Sequence, residues 1–493
     1  MIYNFNLGIG WASSGVEYAQ IYRARMFRNI GVDAKFLFTD MFPSENMEHM
    51  TKNIGFLDSE VIWLYTFFTD FKTAPVTYTL SDLEKTFSNM EYTKSREGKI
   101  CRYVFGGSNN FYTAYMVNDH DDYVHRVEMV SGGCLIRKDY FTYGRVYSEY
   151  YAPLDNAAHL YHRRFFNENG SVAYEEIIDD DRVMYKFKDK ILCSKEEFVG
   201  YMVSQLHLTK DDVVLIDRST DIGQSILMNC KPARVGTVVH ADHFSEKDTN
   251  EDYILWNNFY EYEFNMHKHI DFYICSTQAQ SDLMVQQFEK YYGVTPCIYT
   301  IPVGSLPELK YPSSTRKPYS LITASRLASE KHVDWICKAV IQAHSEVPEV
   351  SLDIYGVGGE REKLETIIRD NNASDYIHLM GQHDLSEVYQ NYEAYIAGST
   401  SEGFGLTLME AVGGGLPIIG FDVRYGNPTF IRNGENGYLI SLPEEDKERI
   451  EALRKGIVDL FKQDLEKCHS VSYEVAKDFL TCNVQEKWRE AVC

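Results

Sequence analysis

From about residue 315 to residue 421, short apolar segments alternate with segments of helical spacing. The apolar segments are SLITASRL, VSLDIYGVG, YIHLMG, AYIAGS and LPIIGF. An apolar segment of this length suits one buried strand, and each intervening segment suits a helix that carries the chain back across the sheet. Strands joined through such crossovers run parallel. This half of the chain is therefore predicted to form a parallel sheet with helices packed on it.

The N-terminal segment predicts a second sheet of the same kind. IYNFNLGI at 2–9 is typical of a buried strand, and the loop GWASSG at 10–15 follows it. A helix comes next, because apolar side chains recur there at helical spacing, and AKFLF at 34–38 is the next strand. Further strand segments lie at 213–219, 234–240 and 271–277. The pattern predicts one Rossmann-like domain built from two separate parts of the chain.

The stretch between these parts has a different pattern. From about 50 to 205, short alternating segments rich in tyrosine are separated by GGSNN, NDHDD and SGG, which predicts an antiparallel β-meander. The fold class is thus predicted to be α/β, with two facing Rossmann-like domains and an inserted antiparallel β-meander domain. The predicted limits are 1–48 and 206–300 for the N-terminal domain, 49–205 for the insert, 301–480 for the C-terminal domain and 481–493 for a terminal helix.

Composition excludes several classes of protein. Hydrophobic residues make up 44% of the 493 residues and charged residues 25%, as in a folded globular chain. The formal charge of −23 argues against a nucleic-acid partner and against an anionic membrane surface. The sequence shows neither a signal peptide nor a membrane span. Ten scattered cysteines without metal-ligand spacing predict reduced thiols, and hence a cytoplasmic protein.

The sharpest functional pattern is SEGFGLTLMEAVGGG at 401–415, a glycine-rich turn that opens a helix near Leu406. The N–H groups at the start of a helix attract anions, so this turn predicts a diphosphate site. Glu410, about one turn inside the helix, is predicted to bind ribose hydroxyls, and Glu402 to face a sugar. A packing turn with two solvated glutamates explains the same spacing. The predicted binding residues of the turn are Gly403, Phe404, Gly405, Leu406, Thr407 and Glu410.

Two basic side chains, Arg326 and Lys331, follow an apolar strand in TASRLASEK. Two cations at this place predict neutralisation of a diphosphate leaving group, which is work that a metal ion could otherwise do. A surface ion pair is the alternative. No metal and no cofactor other than the sugar nucleotide itself are predicted.

The loop after YIHLMG is a weaker candidate. Gly381, Gln382 and His383 are expected to open another helix at the carboxyl end of a strand, where their backbone could hold a uracil ring. An ordinary structural loop is the alternative. The glycines of YGVGGE at 355–360 are weak evidence by themselves.

The first half of the chain contributes two further candidates. Gly15, Val16, Glu17 and Tyr18 begin the first predicted helix, where a phosphate or donor-sugar contact is expected. His240 ends the strand RVGTVVH, and its imidazole could bind a sugar hydroxyl or orient the reaction centre. A structural histidine at a strand end is the alternative.

The segments SRLASEK and MGQHDLSEVYQNYEAYIAGSTSEGFGLTLMEAVGGGLPIIGFDVRYGNPTFIRNGENGYL resemble the family-four retaining glycosyltransferases. The resemblance covers about 300–445 and implies the GT-B fold, a nucleotide bound mainly by the C-terminal domain, and metal-independent transfer with retention. It implies that Glu410 holds the ribose and Glu402 the donor sugar. It also implies that Arg326 and Lys331 hold the diphosphate and that His240 lies near the donor sugar.

The N-terminal NLGIGWASSGVEYAQ and the tyrosine-rich meander narrow the resemblance. Together they resemble catalytic subunits of two-subunit transferases that move N-acetylglucosamine from UDP-GlcNAc to Ser/Thr hydroxyls of serine-rich repeat adhesins. The resemblance implies that the meander docks a stabilising partner subunit, and it leaves open a peripheral membrane association through that complex. UDP-glucose stays open as the donor. Two alternatives remain: a poly(glycerol-phosphate) α-glucosyltransferase of wall teichoic acid synthesis, and a non-catalytic binding subunit with the same fold.

Overall fold

A computed structural model describes residues 1–9, 15–43, 45–87, 90–107 and 109–493. Residues 10–14 of the predicted loop GWASSG lie outside the described residues. The chain divides into two compact units. The first consists of Met1–Ala24, Val32–Thr237 and Asn258–Asp271, and the second of Arg25–Gly31, Val238–Asn257 and Phe272–Cys493.

The strands, numbered in chain order, are β1 (Ile2–Asn6), β2 (Ala34–Phe38), β3 (Val61–Trp63), β4 (Thr93–Glu97), β5 (Ile100–Val104), β6 (Phe111–Met116), β7 (Val124–Ser131), β8 (Cys134–Phe141), β9 (Arg145–Leu154), β10 (Ala157–Phe166), β11 (Val172–Asp179), β12 (Arg182–Lys186), β13 (Ile191–Leu192), β14 (Val213–Ile216), β15 (Arg234–Val239), β16 (Phe244–Ser245), β17 (Leu255–Trp256), β18 (Phe272–Cys275), β19 (Ile298–Thr300), β20 (Ser320–Ala324), β21 (Ser351–Tyr355), β22 (Ile377–Gly381), β23 (Ala394–Ile396), β24 (Ile418–Phe421) and β25 (Gly437–Ile440).

The α-helices are α1 (Gly15–Ile30), α2 (Met47–Ile54), α3 (Leu64–Phe67), α4 (Leu80–Lys85), α5 (Lys195–Gln205), α6 (Gly223–Asn229), α7 (Glu261–Asn265), α8 (Gln278–Tyr292), α9 (Val333–His344), α10 (Arg361–Asp370), α11 (Leu406–Gly413), α12 (Gly426–Phe430), α13 (Asp446–Leu460), α14 (Leu465–Lys477) and α15 (Thr481–Val492). Short 3₁₀ turns lie at Asp58–Glu60, His267–His269, Ser329–Lys331 and Tyr389–Asn391.

The first unit contains a parallel sheet in the order β15-β14-β1-β2-β3. Its strands are apolar and buried, as a parallel sheet that is covered on both faces requires. The strand, helix, strand pattern predicted for the N-terminal segment is confirmed by β1, α1 and β2.

The same unit carries a ten-stranded antiparallel sheet in which β4 to β13 are neighbours in chain order. The predicted β-meander is thereby confirmed. Large rings fill its buried face: Tyr174 stacks on Phe165 at 4.5 Å between ring centroids, and Tyr185 stacks on Phe198 of α5 at 4.1 Å. Aromatic pairs at this spacing add packing energy beyond the apolar area that they bury.

The second unit contains a six-stranded parallel sheet in the order β22-β21-β20-β23-β24-β25. Helices α9 and α13 pack on one face around Trp335 and Leu453, and α11 and α14 pack on the other around Leu408 and Val475. Because β20 and β23 are neighbours, the segments that follow them leave the sheet at the same edge. The predicted C-terminal α/β series is confirmed, with one exception after β22 that is described below.

Two further observations concern the ends and surfaces of the chain. The predicted terminal helix is α15, and Trp488 of this helix packs edge-on against Phe27 of α1 at 5.2 Å between ring centroids. Throughout the described ranges, no helix has both the length and the apolar character that are needed to cross a bilayer.

Candidate active site

Lys331 and Glu402, which lie 71 residues apart, meet at the carboxyl edge of the second unit's sheet. The distance from Lys331 Nζ to Glu402 Oε2 is 2.6 Å, and each side chain keeps about a fifth of its surface exposed. Lys331 follows β20 and Glu402 follows β23, so the strand order brings the two together. A lysine that is held by one carboxylate and still open to solvent can also bind an incoming phosphate oxygen.

The turn that leads into α11 is shaped by glycine. Gly405 has a φ of +90° directly before Leu406, and a Cβ atom there would lie 2.6 Å from the Leu408 side chain. Helix α11 begins at Leu406, as predicted. The Phe404 side chain is buried against Phe430 at 5.3 Å between ring centroids, so only its backbone can face a ligand. The turn therefore offers N–H groups and the positive end of a helix dipole to an anion.

A second segment, residues 424–426, holds the backbone of Glu402 in place. The carbonyl oxygen of Glu402 accepts hydrogen bonds from Tyr425 N at 2.6 Å and Gly426 N at 2.7 Å, and its N–H donates to Arg424 O at 3.2 Å. Gly426 lies so close to the Phe404 carbonyl that no Cβ atom would fit there. Three backbone bonds thus fix the residue that carries the carboxylate.

His240 lies beside the glycine turn. A Cβ atom built on Gly403 would be 3.6 Å from the His240 carbonyl oxygen, so the end of β15 and the turn are close neighbours. His243, three residues later, is fully buried, and its Nε2 lies 2.6 Å from Gln287 Oε1. Its Nδ1 accepts a hydrogen bond from the Tyr425 hydroxyl at 3.3 Å. Burial lowers the pKa of His243 to about 4, so its ring is neutral at pH 7.

Glu410 and Thr407 project from the same side of α11, because they lie three residues apart. The Tyr389 hydroxyl donates to Glu410 Oε2 at 3.0 Å. The Tyr395 hydroxyl lies 3.0 Å from Thr407 Oγ1 and 2.9 Å from the Ala324 carbonyl oxygen. Burial is the main cause that raises the pKa of Glu410. Both tyrosines escaped the sequence analysis, since nothing local marks them.

Arg326 is at the surface, with four-fifths of its side chain exposed, and it pairs with Glu330 at 3.3 Å. The ion pair that the sequence analysis kept as an alternative is therefore present, although it leaves most of the guanidinium open. The loop of Arg326 is fixed by hydrogen bonds from Ser325 N to Tyr355 O at 3.1 Å and from Leu327 N to Val357 O at 3.0 Å. The YGVGGE turn thus supports the loop that carries Arg326.

Gly381 is the last residue of β22, and Gln382 and His383 follow it, but the prediction that these residues open a helix is wrong. Residues 382–388 are a loop that leads to the 3₁₀ turn Tyr389–Asn391. Gly381 has a φ of +79°, and the Asp384 side chain accepts from Ser386 N at 3.0 Å, so a local turn replaces the helix. His383 lies 2.8 Å from the Met380 carbonyl oxygen through Nε2, which leaves Gln382 exposed at the edge of the sheet.

Comparison with known proteins adds the family. A sequence profile for glycosyl transferases group 1 matches residues 310–478, and the GtfA extended beta-sheet domain matches residues 93–189. The UDP-N-acetylglucosamine--peptide N-acetylglucosaminyltransferase GtfA subunit of Streptococcus agalactiae is 52% identical over 492 residues, which are 99% of this chain and 97% of that protein. The chain belongs to the GtfA family. It accordingly has the GT-B fold of the group 1 glycosyltransferases.

Solved structures of GtfA proteins agree with this membership. A crystal structure of a GtfA/B complex matches with a TM-score of 0.96 and 52% identity over 100% of this chain and 99% of that one. The pneumococcal O-GlcNAc transferase GtfA in complex with UDP and GlcNAc matches with a TM-score of 0.87 and 50% identity, over 100% and 98% of the two chains.

The teichoic acid alternative is supported by distant sequence similarity. The poly(glycerol-phosphate) alpha-glucosyltransferase of Bacillus subtilis is 26% identical over 83% of this chain and 59% of that protein. The GtfA subunits share about twice that identity over the whole length.

The predicted residues at the start of the first helix lie in the first unit. Helix α1 begins at Gly15, with Val16 and Glu17 buried and Tyr18 about half exposed. Glu17 Oε1 is 3.8 Å from Arg218 Nη1. The helix is anchored by Arg23, whose guanidinium binds both carboxylate oxygens of Asp217 at 2.7 and 2.8 Å. A buried bidentate pair of this kind fixes the helix over the sheet.

Metal ligands form no cluster in the parts of the chain that the structure describes. Within those ranges, no group of three or more His, Cys, Asp or Glu side chains is arranged to hold an ion. The positively charged groups predicted for a diphosphate are Arg326, Lys331 and the start of α11, and all three lie in the second unit.

Proposed function

We propose that this GtfA family member transfers N-acetylglucosamine from UDP-GlcNAc to serine and threonine hydroxyls of a protein acceptor, with retention at the anomeric carbon. The acceptor is of the serine-rich repeat type that the sequence resemblance implies. The active form is a complex with a GtfB-like subunit. The reaction is placed in the cytoplasm, which the ten unpaired cysteine thiols support.

The observation that carries the proposal is the constellation of Lys331, Glu402 and the start of α11 at one sheet edge. In a chain that is 52% identical to a GtfA subunit, this constellation matches the needs of a sugar-diphosphate donor. The pyrophosphate would lie over the Leu406 and Thr407 N–H groups, with the uridine ribose at Glu410. The predicted loop of Gly381, Gln382 and His383 would receive the uracil.

In the proposed reaction, the bond between the anomeric carbon and the diphosphate oxygen breaks, and its electrons leave with UDP. Negative charge grows on the leaving phosphate while positive charge grows on the sugar ring. Lys331, Arg326 and the helix start would stabilise the phosphate charge, which is where enzymes of this kind gain most rate. These two cations replace the countercharge of a metal ion.

The acceptor hydroxyl oxygen then bonds to the anomeric carbon from the face that UDP has left. Its proton passes to the departing phosphate oxygen, so no group on the protein needs to take it. Glu402 is engaged with Lys331 and is proposed to bind the donor sugar rather than to attack it. His240, beside Gly403, is proposed to bind a sugar hydroxyl. Gly15, Val16, Glu17 and Tyr18 are proposed as a further donor contact.

We also propose the domain limits as functional divisions. The insert at 49–205 would dock the partner subunit, and its match to the GtfA extended beta-sheet domain supports this. The C-terminal domain at 301–480 would hold the donor. Residues 1–48 and 206–300 would form the other Rossmann-like domain, and 481–493 the C-terminal helix.

The test is sugar-nucleotide turnover by the purified chain. UDP-GlcNAc and UDP-glucose are compared in parallel, with and without a Ser/Thr-rich peptide and a GtfB-like subunit. We expect transfer of GlcNAc to the peptide that depends on the partner. Transfer of glucose to a poly(glycerol-phosphate) acceptor would favour the teichoic acid alternative. A folded protein that binds UDP yet neither hydrolyses nor transfers the donor would indicate a binding subunit.

A further inference from the structure

Two buried tyrosines lie beneath α11 and contact the two polar side chains on its ligand side. Tyr389 belongs to the 3₁₀ turn after β22 and Tyr395 to β23, and each is 3% exposed. Tyr389 donates to Glu410, and Tyr395 joins Thr407 to the end of β20. Their ring centroids are 6.3 Å apart and the ring planes are tilted by 47°, so the two side chains are close neighbours.

We propose that Tyr389 is a positioning residue for the nucleotide site, whose hydroxyl fixes one carboxylate oxygen of Glu410 so that the other faces the ribose. The inference rests on the proposed function and deepens it, because it names the group that sets the orientation of the ribose-binding carboxylate. Tyr389 itself is buried beneath the helix and would not touch the ligand.

A glutamate carboxylate that makes no hydrogen bond is free to rotate. The terminal torsion of a Glu side chain is broad, so an unheld carboxylate would sample orientations of which few suit a ribose. A hydrogen bond to Oε2 removes that freedom before the ligand arrives, which raises affinity by preorganisation. The bond that Tyr389 makes at 3.0 Å leaves Oε1 for the ligand.

The charge of Glu410 also depends on Tyr389. Burial raises the pKa of Glu410, and the negative charge of Asp384 acts in the same direction, while the hydrogen bond from Tyr389 opposes both. A carboxylate accepts from both hydroxyls of a ribose, whereas a protonated acid accepts less well. The hydrogen bond from Tyr389 therefore favours the carboxylate form of Glu410.

Tyr395 provides the fixed frame for this arrangement. Its hydroxyl also accepts from Ala324 N at 3.3 Å, so it ties the first turn of α11 to the strand that precedes Arg326. Its bond to Thr407 attaches this residue, in the first turn of the helix, to β23. The orientation of Glu410 then depends on Tyr389 alone among the described neighbours whose hydroxyl reaches it.

The experiment measures UDP affinity by calorimetry for the full chain and for Tyr389→Phe. The matched control is Tyr392→Phe, because Tyr392 is also buried and its hydroxyl donates to Asp353 at 2.6 Å, away from Glu410. We expect Tyr389→Phe to bind UDP roughly tenfold more weakly, as befits the loss of one bond to a charged group. Tyr392→Phe should bind as the unchanged chain does.

A pH series separates positioning from packing. The hydrogen bond from the Tyr389 hydroxyl lowers the pKa of Glu410, so its removal should raise that pKa. As the pH falls, Glu410 of Tyr389→Phe should therefore take up a proton first, and the UDP affinity of this variant should decline before that of the unchanged chain. The affinity ratio of the two proteins cancels the titration of the UDP phosphates. A ratio that stays constant between pH 5 and pH 8 would overturn the assignment of this role.

The same substitution in a Glu410→Ala variant tests whether Tyr389 acts through Glu410. In Glu410→Ala the carboxylate is gone, so adding Tyr389→Phe should not weaken UDP binding further. A further tenfold loss in the double variant would show that Tyr389 acts through packing and would overturn the inference. If the unchanged chain itself fails to bind UDP, the proposed function fails. If it binds UDP and Tyr389→Phe binds equally well, only the inference fails.

Discussion

At the scale of single residues, Arg326 and Lys331 differ in how far they are buried and in how firmly they are held. Lys331 is held at 2.6 Å by Glu402 and is mostly buried, whereas Arg326 is 80% exposed and pairs with Glu330, whose side chain is about half exposed. Exposed ion pairs contribute little to stability. Removing Arg326 therefore tests its charge without disturbing the fold.

We expect Arg326→Ala to lower turnover of UDP-GlcNAc about 100-fold, because it removes one of the two cations that are proposed to face the leaving phosphate. Thermal unfolding should be unchanged within about 1 °C, since the pair with Glu330 is exposed. Steady-state kinetics and calorimetry measure the two effects. The control is Arg361→Ala, in which a similar exposed pair with Glu365 at 2.8 Å is removed and turnover should not change. Equal turnover in both variants would remove Arg326 from the site.

The sequence could predict residues that sit in recognisable local patterns. The sequence predicts Glu402, Lys331 and Glu410 as site residues because each lies near a glycine turn or a strand end. Tyr389 and His243 were not found, because their roles come from contacts with Glu410 and Tyr425, which lie 21 and 182 residues away. No spacing along the chain encodes such a contact.

At the scale of elements, the site depends on the close approach of two segments, the turn at 401–405 and the segment 424–426. Glycine at 426 permits this approach, since any Cβ atom would overlap the Phe404 carbonyl. The backbone bonds that hold Glu402 come from the same segment. If the two segments moved apart, the backbone of Glu402 would lose these hydrogen bonds and its carboxylate would no longer be held in place.

We expect Gly426→Ala to lower turnover more than tenfold and to destabilise the second unit by about 1–3 kcal/mol, the usual cost of overpacking. The reason is that the clash is with backbone, which cannot rotate away as a side chain can. Kinetics and thermal unfolding measure the two effects, and the melting temperature should fall by several degrees.

The matched control for this change is Gly359→Ala in the neighbouring glycine-rich turn. No atom lies within 4 Å of a Cβ atom built there, so both turnover and melting temperature should stay as they are. Equal behaviour of the two variants would show that the contact between Gly426 and Phe404 does not shape the site.

The sequence predicted helices and strands correctly where the spacing of apolar residues was regular. The start of α11 at Leu406 was predicted, because a glycine turn and an apolar helical pattern coincide there. The helix expected after Gly381 is absent from this described loop, because the Asp384 side chain satisfies the backbone of Ser386 and favours a local turn. A side chain that binds the backbone in this way competes with helix formation, and the alternation of strands and helices along the sequence does not reveal it.

At the scale of the whole molecule, the sequence predicted both parallel sheets and the meander but not the strand order. The order β20-β23 that joins Lys331 to Glu402 is set by contacts between strands some 70 residues apart. Apolar runs show that a strand exists and is buried, and they do not show which strand lies beside it. The site was therefore predicted as a set of residues, and its geometry required the structure.

Each unit contains a histidine whose burial lowers its pKa to about 4, His125 in the first and His243 in the second. Arg126 and Lys99 add to the effect on His125, whereas Asp242 and the bond to Gln287 oppose it at His243. Both rings are neutral at pH 7. In the unfolded chain the same rings take up a proton below about pH 6.5.

Stability should consequently fall as the pH drops from 6.5 toward 4, because the unfolded chain then binds protons that the folded chain excludes. A folded pKa of about 4 against an unfolded value near 6.5 implies a loss of roughly 2 kcal/mol per histidine at pH 5. Scanning calorimetry at pH 7 and pH 5 measures it, and a drop of several degrees is expected in the transition of each unit.

The share of one histidine can be isolated with His125→Leu, which removes the titrating ring and keeps an apolar side chain at the same site. The loss of melting temperature between pH 7 and pH 5 should shrink by roughly 4 °C for the first unit, because about 2 kcal/mol of proton linkage is gone. His120→Leu, which changes an exposed histidine in the turn between β6 and β7, is the matched control. An equal drop in His125→Leu and the unchanged chain would mean that His125 is protonated in the folded protein as readily as in the unfolded one.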